Sequence, residues 1–466
     1  MAELTFLGAV QGVTGSCYLL KTTQATVILD CGLYQGLREE EAQNAESFDF
    51  NPAEIDAVVL SHAHLDHSGR LPIMVKEGYT GAIHMTRATA DLLDIMLKDA
   101  AFLNERDAQW RNRRRRRAGQ AVIEPLYTLS DVETCLDRCV GYPYGERQPV
   151  ADGIEVCFRD AGHILGSAIV ELFINEGGQQ KKLVFSGDLG NSCSALLRDP
   201  EIVSEADLVL LESTYGDHDH RSLSGTLTEF RDILQDAIES GGNVLIPSFA
   251  VGRTQELLFR LGEFYQAGEL PQQRVWLDSP MAIATTEVYH QYQYMFNRED
   301  SAQLAHGTSH NLHSFLPVLR YSRSTEESMR INIISGGSVI IAGSGMCNGG
   351  RIRHHLKHNL WRRGAHVIIV GYQAKGTPGR ALVDGATTMH LAGEDIAVAA
   401  QIHTLGGFSA HAGQTQLRDW LRHLQGSGPR VCLVHGEGEK KQALKRALQQ
   451  DGWDAHIPTH GERIDL

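Results

Sequence analysis

Ser61-His62-Ala63-His64-Leu65-Asp66-His67-Ser68-Gly69 sets three histidines and one aspartate within six positions. The apolar run Ala57-Val58-Val59-Leu60 just before it reads as a buried strand. On an extended chain, side chains two residues apart point the same way, so His62 and His64 share one target, a first metal. Asp66 and His67 fall past the turn, at the start of a helix, where they face a second ion. Imidazole and carboxylate at this density suit zinc, and no thiolate is needed. A lone histidine on an apolar strand is ordinarily a satisfied core residue. Four such groups side by side are costly to bury without a cation.

Composition sets the frame around that stretch. A chain of 466 residues is too long for one compact core and predicts two domains, one interrupted by the other. Its 42% hydrophobic and 21% charged content is that of an ordinary globular protein. A net charge of −14 argues against holding nucleic acid by bulk attraction, so a polyanion has to be bound at a local basic site or by metal. The start, from Met1 to Gly8, is acidic and runs straight into a strand pattern, with no signal-type segment. No apolar stretch is long enough to cross a bilayer, so no membrane partner and a cytoplasmic location are expected. The eight cysteines are scattered, and Cys135 and Cys139, one helical turn apart, read as a shared buried face. Free thiols in a reducing compartment are the simplest reading.

Along the chain, the first 60 residues alternate apolar runs with turns and read as strands of one sheet. The loop 8–16 contains glycines but lacks dinucleotide-binding spacing. Asp30 ends the run Val27-Ile28-Leu29; alone it is a turn residue, but beside a metal cluster it can orient a ligand. Residues 86 to about 110 have the period of a helix, and 113–117 are five consecutive arginines, a solvated face or a phosphate-contacting patch. His163 and Asp188 each end a strand pattern directly after a glycine, which lets the backbone approach something closely. They supply what two metals still lack, a third imidazole and a bridging carboxylate. From about 205 a new alternation of strands and helices predicts a parallel sheet with loops gathered at the carboxyl ends. Those loops carry Ser248, Arg253, Ser344, Arg351, Lys375 and Arg380, which suit phosphate or are plain turn architecture. The last segment returns to strands ending in ligands, His411 and His435, whereas His403 nearby reads as structural.

These residues resemble the metallo-β-lactamase superfamily and, within it, the β-CASP nucleases. Asp30, the His62-x-His64-x-Asp66-His67 signature, His163 and Asp188 match the motifs of the metal-binding fold in order. Glu212, His411 and His435 match the three further β-CASP motifs, in Leu-Glu-Ser-Thr-Tyr-Gly, Phe-Ser-Ala-His and Leu-Val-His-Gly-Glu contexts. The resemblance spans essentially the whole chain. It implies an α/β protein, an αββα sandwich from residues 1–208 and 395–466, with a β-CASP domain of mostly parallel sheet inserted at 209–394. It also implies two Zn2+ per chain and no organic cofactor. His62, His64 and His163 hold one ion, Asp66, His67 and His435 the other, with Asp188 between them and Asp30 orienting a ligand from behind. Asp66, Glu212 and His411 are the expected catalytic residues. Without the extra terminal domains of some relatives, the chain resembles the bare catalytic body.

The implied substrate is single-stranded RNA, because a histidine at the last motif marks RNA-processing members and DNA-repair members carry valine there. Two zinc ions lower the pKa of a shared water to roughly 7, and the hydroxide is expected to attack phosphorus in line. His411 is the expected acid, kept cationic by Glu212, since a neighbouring carboxylate raises a histidine pKa. Endonucleolytic cleavage to 3′-hydroxyl and 5′-phosphate ends follows from the same resemblance. A DNA nuclease of this fold is the first rival, and a small-molecule metallo-hydrolase the second. A non-catalytic RNA-binding scaffold is the third, and it would require missing ligands. A homo-oligomer is compatible with the sequence.

Overall fold

The computed structural model describes residues 2–36, 38–192, 194–305, 311–374 and 376–466. Two compact units emerge. The first comprises Met1–Ser192, Asp199–Asp219 and His411–Leu466, the second Cys193–Arg198 and His220–Ala410.

The first unit holds two seven-stranded sheets. In one, strands Glu3–Phe6, Tyr18–Lys21, Thr26–Leu29, Ala57–Val59, Ala82–Thr86 and Cys139–Tyr142 follow in chain order, with Arg463–Asp465 pairing outside Glu3–Phe6. In the other, Gln148–Ala151, Ile154–Asp160, Ala168–Glu176 and Gln179–Phe185 form an antiparallel run, continued by parallel Leu208–Leu211, Arg430–Leu433 and Ala455–His456. Alternate residues of both sheets, among them Leu4, Phe6, Val27 and Leu29 of the first and Val156, Phe158, Phe185 and Leu210 of the second, form one buried cluster. That is the period-two signature of two sheets face to face. The opposite face of the second sheet (Val184, Val209, Leu211, Val431, Leu433) packs on Leu417 and Leu421 of helix Gln414–Arg422 and on Leu444 and Leu448 of helix Gly438–Gln450. Helix Arg87–Arg117 packs beside strands Ala82–Thr86 and Cys139–Tyr142 of the first sheet. The expected αββα layering is therefore present.

The second unit is built on a six-stranded sheet in which every pairing is parallel. Val244–Pro247 and Ser338–Ala342 lie at its centre, each fully buried and apolar-rich, as a sheet covered on both faces requires. Gln401–Thr404 is an edge strand of this sheet, paired with His366–Ile369, and the compact unit runs to residue 410. At its other end the first unit keeps 199–219, because Leu208–Leu211 is fixed between two of its own strands.

Helix Arg87–Arg117 continues through the whole arginine run, beyond the expected end near 110. Arginine is a good helix former and nothing in the run breaks the pattern. Among the described residues no helix is long and apolar enough to cross a membrane.

Candidate metal centre

The candidate ligands gather because of strand order. Asp30, His62, His163, Asp188, Glu212 and His435 each follow the carboxyl end of a strand by one to three residues. Strands Gln179–Phe185, Leu208–Leu211 and Arg430–Leu433 are adjacent and parallel, so Asp188, Glu212 and His435 emerge side by side. Gly162 and Gly187, immediately before His163 and Asp188, have φ of 66° and 54°. Left-handed backbone of this kind is open to glycine without a Cβ penalty. Asp30 and His435 adopt the same region, at φ 55° and 49°, although neither is glycine. Strain of that kind is tolerated where surrounding contacts over-determine the backbone.

Ligand atoms fall into two groups that share a neighbour. His62 Nε2 lies 3.1 Å from His64 Nδ1, and His163 Nε2 lies 3.2 Å from the same His64 nitrogen. Asp188 Oδ2 is 3.5 Å from His62 Nε2 and 3.6 Å from His163 Nε2. In the second group His67 Nε2 faces His435 Nε2 at 3.0 Å, and Asp66 Oδ2 is 3.6 Å from that His435 nitrogen. Asp188 Oδ1 is 3.4 Å from both His67 Nε2 and His435 Nδ1. Within each group the donor atoms lie within 4.8 Å of one another.

These spacings fit zinc. Nitrogens at about 2.05 Å from a tetrahedral ion are about 3.3 Å apart, close to what the imidazoles show. Burial first, and then the charge on His67, hold His62 well below the usual histidine range; burial likewise lowers His64. Metal ligands need such neutral imidazoles. Burial alone would raise Asp66, but the charges of His67 and His435 outweigh it and draw it down to about 2. Asp188 is likewise pushed up by burial, yet held well below the carboxylate range by His435, His67 and His62. Its buried Oδ1 accepts no hydrogen bond among the described residues. For His67 burial favours the neutral ring, but Asp188, Asp30 and Asp66 together raise its pKa well above the usual range. The carboxylates thus demand more positive charge than neutral imidazoles supply, and a bound cation meets that demand.

A layer of hydrogen bonds fixes which ring nitrogens face inward. Asp30, fully buried, accepts at Oδ2 from His67 Nδ1 (2.6 Å), Ser61 Oγ (2.9 Å) and Ser16 Oγ (3.1 Å), and at Oδ1 from the Ser61 amide (2.8 Å). His67 Nδ1 therefore carries its proton toward Asp30, leaving Nε2 free to bind. Ser61 Oγ sits 3.1 Å from His62 Nδ1, and Thr214 Oγ1 3.1 Å from His435 Nδ1. Sequence reasoning missed Ser16, Ser61 and Thr214. The last two are adjacent to His62 and two residues past Glu212, a nearness that could have drawn attention to them.

The Glu212 and His411 pair also forms. His411 Nδ1 is 3.4 Å from Glu212 Oε1 and 3.9 Å from Asp188 Oδ2. Glu212 is anchored by the amides of Leu189 (2.7 Å) and Thr214 (3.2 Å). Burial would lower His411, but Glu212 by charge and hydrogen bond, then Asp188 and Asp66, raise it.

Known proteins match this chain over nearly its whole length. A model of the metallo-β-lactamase superfamily matches residues 10–248, one of the Beta-Casp domain matches 254–382, and one described as a Zn-dependent metallo-hydrolase RNA specificity domain matches 395–458. The chain is 41% identical, over 98% of its length and 99% of the relative's, to Ribonuclease TTHA0252 of Thermus thermophilus. It belongs to the β-CASP ribonuclease family of the metallo-β-lactamase superfamily. Transcription termination factor FttA of Methanocaldococcus jannaschii is 31% identical over 94% of this chain and 67% of its own length. A crystal structure of a protein of unknown function from Enterococcus faecalis shares the fold, with a TM-score of 0.56 at 13% identity over all of both chains. As a β-CASP family member with His/Asp clusters of this kind, the chain is a metal-dependent hydrolase of the nuclease class.

The expected phosphate contacts of the β-CASP region are all in the second unit. Ser248 is buried and takes a hydrogen bond from Thr254 Oγ1 (3.0 Å). Arg253 is buried against Glu256. Arg351 bonds Asp278 Oδ1 (2.6 Å) and the carbonyls of Ser322 and Arg323. Two carboxylates thus take up charge that sequence reading assigned to phosphate. Ser344 is half-buried beside Gly349, and Arg380 is exposed and paired with Asp384. Lys375 lies outside the described residues. His403 stacks on His366, with Nε2 3.0 Å from its Nδ1, which suits the structural role expected of it.

Proposed function

We propose that the chain is a zinc-dependent ribonuclease that cuts single-stranded RNA endonucleolytically, using two Zn2+ per chain and leaving 3′-hydroxyl and 5′-phosphate ends. The observation that carries the proposal is the position of Asp188, with Oδ2 near His62 Nε2 and His163 Nε2 and Oδ1 near His67 Nε2 of the other group. The ribonuclease name of the 41% identical relative and the RNA specificity model over 395–458 support RNA as the substrate.

His62, His64 and His163 would hold one ion and Asp66, His67 and His435 the other, with Asp188 reaching both. Bound zinc supplies Lewis acidity, bringing the pKa of a water to roughly 7 and neutralising phosphoryl charge. Asp30 and Thr214 keep the ring nitrogens of His67 and His435 turned inward. Attack on phosphorus breaks the P–O3′ bond, and the departing oxygen needs a proton. His411 provides it from Nε2, because Nδ1 faces Glu212. Glu212, pinned by two amides, holds that ring in place and favours its cationic form. Of the proposed phosphate contacts, Arg380 is exposed, Ser344 and Arg351 are half-buried, and Ser248 and Arg253 are buried.

The test uses end-labelled single-stranded RNA and DNA of matching sequence, incubated with wild type, chelated protein and His163→Ala. RNA cleavage by the metallated wild type alone is expected. Equal cleavage by all three would assign the activity to a contaminant, and preferred cleavage of DNA would overturn the substrate.

A further inference from the structure

Helix Arg87–Arg117 is 31 residues long, about 46 Å at 1.5 Å per residue. Its buried side chains stop at Ala101, with Ala108 the one exception, so its last turns stand in solvent. From Arg106 to Arg117 it carries seven arginines and a single acid, Asp107, in a chain of net charge −14. Asp107 is taken by Arg111 (2.8 Å) and Arg115 Nε binds the Ala121 carbonyl (2.5 Å). Arg113, Arg116 and Arg117 have no carboxylate within 4.0 Å among the described residues. At 100° per residue these three fall within about 100° of arc.

Phe102 falls within that arc and Trp110 about 20° beyond it, 54% and 51% exposed, with the guanidinium carbons of Arg106 and Arg114 at 5.3 and 3.9 Å from their ring centroids. A membrane-surface helix segregates apolar from cationic residues on opposite faces. Here aromatic rings and guanidiniums alternate on one face, the combination that binds a phosphate backbone and stacks on bases. The far end is also braced: Asn112 exchanges two 2.8 Å hydrogen bonds with the backbone of Ile123 on the returning segment.

We propose that this arginine–aromatic arm is a second RNA-binding site, separate from the metal centre, that grips the phosphate backbone of the substrate outside the stretch being cut. This rests on the reading of RNA as the substrate.

The experiment measures binding of a fluorescein-labelled RNA hairpin with a single-stranded tail to the full chain, with chelator present, across a salt series. Removing one arginine–phosphate pairing should lower the slope of log affinity against log salt by about 0.7 to 0.9. The Arg113→Gln/Arg116→Gln/Arg117→Gln protein should therefore lose about 2 to 3 in slope and about tenfold in affinity at moderate salt. Arg113→Gln and Arg117→Gln alone should each lose about 1, and the triple Arg→Lys protein should keep the wild-type slope. Circular dichroism checks that helix content is retained. Unchanged slope and affinity in the Gln variants would overturn the proposal. So would loss of binding to phosphatidylserine vesicles with RNA binding intact. A wild type that fails to cut RNA with zinc present would count against the functional reading instead, and leaves these slopes readable.

Discussion

The Nε2 atoms of His67 and His435 face each other at 3.0 Å across 368 residues of sequence. Each ring is held from behind, His67 by Asp30 and His435 by Thr214, so both lone pairs converge on one point. Two buried basic nitrogens this close repel unless a proton or a metal lies between them.

His435→Ala should therefore remove one ion and spare the other. Elemental analysis of zinc-loaded protein is expected to fall from about two ions per chain to about one, with RNA cleavage reduced at least a hundredfold. An unchanged metal content would refute the assignment of this ligand.

Asp30→Asn tests the support behind the ligand. The amide can still hydrogen-bond Ser61 but no longer balances charge on His67. Loss of such an outer partner typically costs 10- to 100-fold in metal affinity or activity, and a competition titration with a chromogenic chelator reads it directly. Affinity equal to wild type would show that Asp30 is only a turn residue.

His411→Ala should lower kcat on RNA by about 10²- to 10⁴-fold with little change in KM, as expected for a lost general acid. On a nitrophenyl phosphodiester, whose leaving group needs no proton, the defect should shrink to a few-fold. A defect of the same size on both substrates would exclude the proton-donor role.

In the second unit, Asp278 is an acid-sensitive group. Burial would raise its pKa, but hydrogen bonds from His355, Ser328 and Arg351, at 2.6 Å each, outweigh that and draw it to about 2. Its folded value lies below its unfolded value, so the stabilisation is complete above about pH 4 and is lost as pH falls toward 2. That is on the order of 2 kcal/mol. Asp278→Asn should lower the urea midpoint at pH 7 and flatten its decline below pH 4; a parallel decline in both proteins would contradict the linkage.

Lys441 acts at the alkaline end of the pH range. It is almost fully buried, its ammonium donates to the Val10 carbonyl, and burial lowers its pKa to about 8. The unfolded chain keeps the proton up to about 10.4, so stability should rise between pH 8 and 10, by up to about 1.4 kcal/mol per pH unit. Thermal midpoints of wild type and Lys441→Met across that range should converge or cross. Midpoints that stay a constant distance apart would mean that Lys441 does not titrate there.

The sequence by itself determined most of the elements and nominated the candidate ligands. His62, His64, Asp66 and His67 are legible because they sit within six positions, where strand period and helix start dictate direction. His163, Asp188, Glu212 and His435 stand just past apolar runs, whereas His411 follows the mixed stretch Phe408-Ser409-Ala410 and is singled out by the family motif. Only the tertiary structure decided how these meet. The adjacency of Leu208–Leu211 and Arg430–Leu433, strands with the second unit's chain between them, is a non-local pairing that no local period encodes. The same holds for partners. Arg253 and Arg351 look like free cations in the chain, but folding gives them Glu256 and Asp278. Ser61 and Thr214 look like spacers until a ring nitrogen comes within hydrogen-bond distance. Local chemistry is written residue by residue, whereas charge compensation and hydrogen bonding are settled by neighbours in space.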